Sequence, residues 1–161
     1  MRTLLVVWAA LFVAAHIPYL PPSLGDPDSV NFALAVREFD VTARQPHPPG
    51  YPLYVGLARL ATAALARAGD PLNAPHGLAI VNVLGAALAL VAAFALARVL
   101  EYAPRRALAA ALVTSTIPLF WFSASRPLSD LLALALAVGA QACLARAWLA
   151  GGRWHAATGA L

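Results

Sequence analysis

The chain alternates long apolar runs with polar breaks of very unequal length. The runs over 3–20, 77–97, 107–122 and 128–149 are dominated by Ala, Leu and Val. At about 1.5 Å rise per residue, such runs match a bilayer hydrocarbon core of about 30 Å, with the third run the shortest. The pattern predicts an all-α polytopic membrane helix bundle with about four transmembrane helices. Met1-Arg2-Thr3 and the apolar run behind it also resemble a signal peptide. That run continues to Leu20 and further spans follow, so an uncleaved first span is expected.

A fifth apolar stretch, 52–68, carries Arg59 and Arg67 close to one helix face. A mid-helix Arg costs about 2.5–3.5 kcal/mol on insertion scales. Arg2, Arg98, Arg105 and Arg106 belong on the cytoplasmic side by the positive-inside rule. An even number of crossings must then separate Arg2 from Arg98, which removes 52–68 from the spans. It is expected to lie in the outer interface with its arginines snorkelling. The first outer loop therefore runs over about 21–76 and includes juxtamembrane amphipathic helices. In this topology Asp26, Asp28, Glu38, Asp40, Asp70 and Asp130 fall outside, while Glu101, Arg146 and Arg153 fall inside. Gly151-Gly152-Arg153-Trp154-His155 reads as an inner loop entering another helix. The remaining helices of a longer chain are thus expected partners of 1–161, besides the lipid bilayer.

Composition narrows the function classes. The chain is 61% hydrophobic and 11% charged, outside soluble-domain usage. All 11 basic residues are Arg and stand mostly near helix ends, with no aromatic-interleaved basic cluster, so nucleic-acid binding is excluded. Cys143 is the single cysteine, which rules out a disulfide within the chain. No P-loop, dinucleotide fingerprint, nucleophile elbow or His-x-x-x-His helix is present.

The outer loops carry the candidate chemistry. Asp26-Pro27 reads as an N-cap followed by Pro at the first helical position. An amphipathic helix over 28–39 is expected next, with Phe32, Val36 and Phe39 on its buried stripe and Ser29 off it. Asp28 stands in its first turn, either complementing the helix dipole or doing chemistry. The segment Gln45-Pro46-His47-Pro48-Pro49-Gly50-Tyr51-Pro52 cannot be regular structure and forms a stiff strap presenting His47 and Tyr51. A short second loop, 123–130, brings Arg126 beside Asp130, either as a functional pair or as a pair that satisfies itself. Asn82 is expected in a helix–helix hydrogen bond, Asp70 and His76 at a turn, and Tyr19, Trp121 and Trp148 as interfacial anchors.

An acid after the first span, an amphipathic helix, a Pro-Pro-Gly-Tyr strap and an interfacial helix together resemble the GT-C superfamily of membrane glycosyltransferases. The likeness is greatest to the protein O-mannosyltransferase and aminoarabinose transferase branch. Pro27-Asp28-Ser29-Val30-Asn31-Phe32 is similar to that branch's Pro-Asp-Glu-x-x-Tyr box, departing at Ser29 and Phe32. His47-Pro48-Pro49-Gly50-Tyr51 takes the place of its Lys-Pro-Pro strap, and Ser125-Arg126-Pro127-Leu128-Ser129-Asp130 that of its second acidic loop. The resemblance implies transfer from a polyprenyl-phosphate-linked sugar to a hydroxyl or amine on the outer face of a bacterial inner membrane. It makes Asp28 the acid at the reacting centre and Asp130 the second acid. Charge and position add Arg126, Arg44 and His47 as partners of the departing phosphate, with Asp26 and Tyr51 completing the substrate-binding set. A divalent metal remains open as cofactor, although Ser29 in place of Glu weakens its ligand set. No metal ligands are assigned. Two other readings stay open: a non-catalytic subunit binding polyprenyl lipid or scaffolding a partner, and part of a transporter.

Overall fold

The computed structural model describes residues 1–150, with the side chain of Ala150 outside that description. The expected inner loop at Gly151–His155, with Arg153, therefore lies outside the described residues. The helices in chain order are α1 (Arg2–His16), α2 (Pro27–Arg37), α3 (Pro52–Arg67), α4 (Asn73–Val99), α5 (Pro104–Thr116), α6 (Pro118–Ala124) and α7 (Asp130–Ala150). A 3-10 turn, Ile17–Tyr19, extends α1. Among the described residues the only β-pairing is an isolated bridge between Asp40 and Gln45.

Three segments are long and apolar enough to cross a membrane: Arg2–Tyr19, Asn73–Val99 and Asp130–Leu149. The expected span over 107–122 is instead two helices, α5 and α6, bent by 68°. The cause is Pro118. It has no N–H to continue the α5 ladder and holds Ile117 extended at φ −63° and ψ 128°, while serving as the first residue of α6. Counted as one broken span, this pair brings the total to four.

α4 is the axis of the bundle, with its most extensive contact along α7 and further contacts to α3, α5, α1 and α2. It is 61% buried over its most apolar window, against 17% for α1 and 28% for α7. The outward faces of those two flanking helices are apolar all the same: Val6, Leu11, Leu144 and Trp148 are exposed. In water such faces would be a liability, and against acyl chains they cost nothing.

Helix crossings depend on small residues. A Cβ on Gly85 would meet the Leu132 backbone N and Cα, each at 2.6 Å, and one on Gly77 would meet the Thr62 backbone N at 2.8 Å. These contacts bring α4 against α7 and α3 at backbone distance, the small-residue packing of helices that lack a hydrophobic drive between them.

Three apolar clusters stack along α4. One joins Phe32, Tyr54, Val55, Leu78 and Leu132 beneath the outer loops. The second joins Phe12, Leu90, Phe120 and Leu131, and the third joins Leu5, Phe94 and Leu108 towards the other end. Trp121, expected as an interfacial anchor, turns inward instead. Its ring packs on Phe12 and His16, with centroids 5.5 and 4.4 Å away, because the bend at Pro118 swings α6 across α1. Tyr19 and Trp148 remain exposed.

Gly85→Ala is expected to force α4 and α7 apart and lower stability by about 1–3 kcal/mol, the usual cost of overpacking. Thermal unfolding in mild detergent measures it, with Gly139→Ala as control, since nothing lies within 4 Å of a Cβ there.

Candidate functional site

Helix α2 begins as the sequence implies. Asp26 is its N-cap and Pro27 its first residue, with Asp26 Oδ1 accepting from Ser29 N at 2.9 Å and Ser29 Oγ accepting from Asp26 N at 3.3 Å. This reciprocal capping box gives Ser29 a structural role and buries it completely, correcting its expected place off the packed face. The helix stops at Arg37, so Phe39 is not part of its stripe and lies exposed. Phe32, Ala33 and Ala35 form the buried face, with Val36 packed beside them.

Arg59 makes specific bonds across elements. Its Nη2 donates to Ala35 O at 2.9 Å and its Nε to Val36 O at 3.0 Å, so an α3 side chain caps the open C-terminal carbonyls of α2. α3 itself lies outside the set of helices long and apolar enough to cross.

The strap then folds back over α2. His47, Tyr51 and Phe32 form a mutual aromatic cluster with ring centroids 5.2–5.5 Å apart. Tyr51 sits at φ 47° and ψ 49° directly before Pro52, a left-handed conformation costing about 1–3 kcal/mol for such a residue. This places His47 Nδ1 3.6 Å from Asp28 Oδ1. That separation is too long for a hydrogen bond, and His47 Nδ1 is buried with no partner. A buried nitrogen without a hydrogen bond, facing a carboxylate, is a costly arrangement that one bridging hydroxyl would relieve.

From the far end of the chain, loop 125–129 completes the site. Arg126 Nη2 lies 3.3 Å from Asp26 Oδ2, so the arginine pairs across loops rather than with its neighbour Asp130. Asp130 opens α7, beside that helix's positive end. Together Asp26, Asp28, His47, Tyr51, Arg126 and Asp130 line one cleft of about 420 Å³, floored by Phe32 and Leu128. Six of the seven residues proposed from the sequence thus meet. Arg44 does not. It is exposed at φ 59° in the turn closed by the Asp40–Gln45 bridge.

Below the cleft, Tyr54 Oη donates to Leu78 O at 3.1 Å. Burial, and then the Asp130 and Asp26 carboxylates, push this phenol far above its usual range, so it stays protonated and structural. Farther out, Asp70 accepts from His76 Nδ1 at 2.6 Å and from Leu72 N at 2.8 Å, and these bonds hold its carboxyl below the usual range. The pair forms the expected turn between α3 and α4 and lies away from the cleft.

Asn82 was underrated by sequence reasoning. It is fully buried on α4 and makes the expected bonds to neighbouring helices, at the end of α6 and the start of α7, while also clamping the loop between them. Its Nδ2 donates to Ser123 O at 2.8 Å, Arg126 O at 3.2 Å and Ala124 O at 3.3 Å. Its Oδ1 accepts from Leu131 N at 3.0 Å, capping the start of α7. Both ends of the amide therefore set where Arg126 and Asp130 stand.

A metal fits poorly. Among the described residues no group of three or more His, Cys, Asp or Glu side chains is placed to hold one. Asp26 is already engaged by Ser29 and Arg126. Comparison with known protein families, with curated proteins and with solved structures finds no match for this chain.

Asn82→Ala is expected to strand the loop carbonyls and loosen 123–130. In a Cys143→Ala background, a Ser125→Cys reporter should then react with a thiol reagent several-fold faster. Asn82→Asp, which keeps the acceptor and loses the donors, should give most of the same increase.

Proposed function

We propose that the chain is a membrane glycosyltransferase module that takes a sugar from a polyprenyl-phosphate donor at the outer membrane face. The observation that carries this reading is the cleft itself. Residues about 100 positions apart bring carboxylates, an imidazole and a guanidinium to one place, and these are the residues on which the GT-C resemblance rests.

The chemistry follows from their positions. Asp28 is the more exposed member of its pair with His47, at 60% against 26%, and so faces an incoming acceptor. The acceptor hydroxyl oxygen attacks the anomeric carbon while Asp28 takes its proton. The bond from that carbon to the phosphate oxygen breaks, and its electron pair leaves with the polyprenyl phosphate. The charge growing there is met by Arg126, which Asp26 orients, and by His47. Asp130 holds a sugar hydroxyl from the opposite wall. No step passes through a metal. General-base help of this kind contributes about 10²–10⁴ in rate.

Asp28→Asn in the natively expressed product should lower sugar transfer in its own membranes by about 10²–10⁴. Insertion should be unaffected, because Asp28 takes no part in the capping box. Undiminished turnover would refute the assignment.

The membrane placement is tested separately. In a Cys143→Ala background, Ala43→Cys should react with an impermeant thiol reagent added from outside and Ala103→Cys should not. Both positions are exposed, so the reverse pattern would invert the topology.

A further inference from the structure

The second large cleft of the molecule lies at the opposite end of the bundle, about 700 Å³ in volume, between α1 and α7 with α4 as its floor. Its walls are apolar, from Leu5 and Val6 on α1 to Val91 and Phe94 on α4. Three arginines line it, each from a different helix: Arg2 at the start of α1, Arg98 in the last turn of α4 and Arg146 on α7. No carboxylate is among its described lining residues.

We infer that this cleft binds an anionic glycerophospholipid of the leaflet opposite the sugar-transfer site. Its phosphate would lie among the guanidinia and an acyl chain along the Leu5–Phe94 wall. Three facts point to this occupant. The charged side chains at the cleft are all cations, which favours a phosphate over a neutral headgroup. The rest of the lining is aliphatic or aromatic, which a free anion would not use. The arginines sit at the ends of segments able to span, which is headgroup depth, where basic pockets between helices hold lipid phosphates.

The positive-inside rule alone explains cations at this end but not their arrangement. Arg105 and Arg106 stand at the same end and do not line the cleft, whereas the three that do come from three helices. Arg98 is partly fixed already, since its Nη1 donates to Tyr102 O. The inference rests on the membrane placement and not on the transfer reaction, so lipid retention and turnover can fail independently.

The test uses the full chain in vesicles of phosphatidylcholine and phosphatidylglycerol, extracted gently and weighed by native mass spectrometry. The expected result is selective retention of phosphatidylglycerol. Arg98→Gln should reduce it about fivefold, and Arg105→Gln, which removes the same charge outside the cleft, should leave it unchanged. Ala95→Trp supplies an arm that keeps every arginine, and hence the orientation. Ala95 is exposed within the cleft, so the indole should fill the acyl path and abolish retention. Excess inorganic phosphate should not displace the lipid. Equal retention of both lipids would overturn the inference, as would an equal effect of Arg105→Gln, or displacement by phosphate with Ala95→Trp silent.

Discussion

One buried amide governs the half of this molecule that carries the candidate site. Asn82 sits within the most apolar helix of the chain, where an unpaired polar group costs about 1–3 kcal/mol. Its partners are backbone atoms of the 123–131 segment. The loop is therefore held by the demand of the amide as much as the amide is held by the loop. Everything that gives the cleft its second wall follows from this. Arg126 is presented towards Asp26, α7 starts where its N–H can be capped, and Asp130 falls at the rim.

The first wall has a different logic. α2 is too short to be stable by its own propensity, and it is secured at both ends by specific bonds. The Asp26–Ser29 box closes the front and Arg59 closes the back. The strap is then pressed onto Phe32, and the strained Tyr51 backbone brings its ring and His47 over Asp28. The two walls share an apolar base through Phe32 and Leu132, and above it they are bridged by Arg126 and Asp26, a pair whose strength depends on ionic conditions.

Much of this was legible in the sequence, and the gaps have identifiable physical causes. Apolar run lengths located α1, α4 and α7, and Asp26-Pro27 marked the start of α2, because both signals are local. The break at Pro118 was readable in principle, but the apolar run continues through it and masks the bend. The site residues were found because charge in an apolar chain is conspicuous. Their pairing was not, since Arg126 prefers a carboxylate a hundred positions away to the one four positions on. The particular partners of Arg59 and Asn82 were not legible for the same reason. Each serves backbone groups on other elements, and a backbone group has no sequence signature.

The close approach at Gly85 has a mechanical meaning. With the α7 backbone lying directly against α4 at Gly85, no side chain stands between the helices at that crossing to change rotamer and let them part. Flexibility must reside elsewhere. The cleft has one stationary bank, carrying Arg126 and Asp130, and one compliant bank, the α2–strap flank tethered mainly by side-chain bonds. The bank that bears Asp28 and His47 is the one whose bonds would have to yield for the cleft to widen.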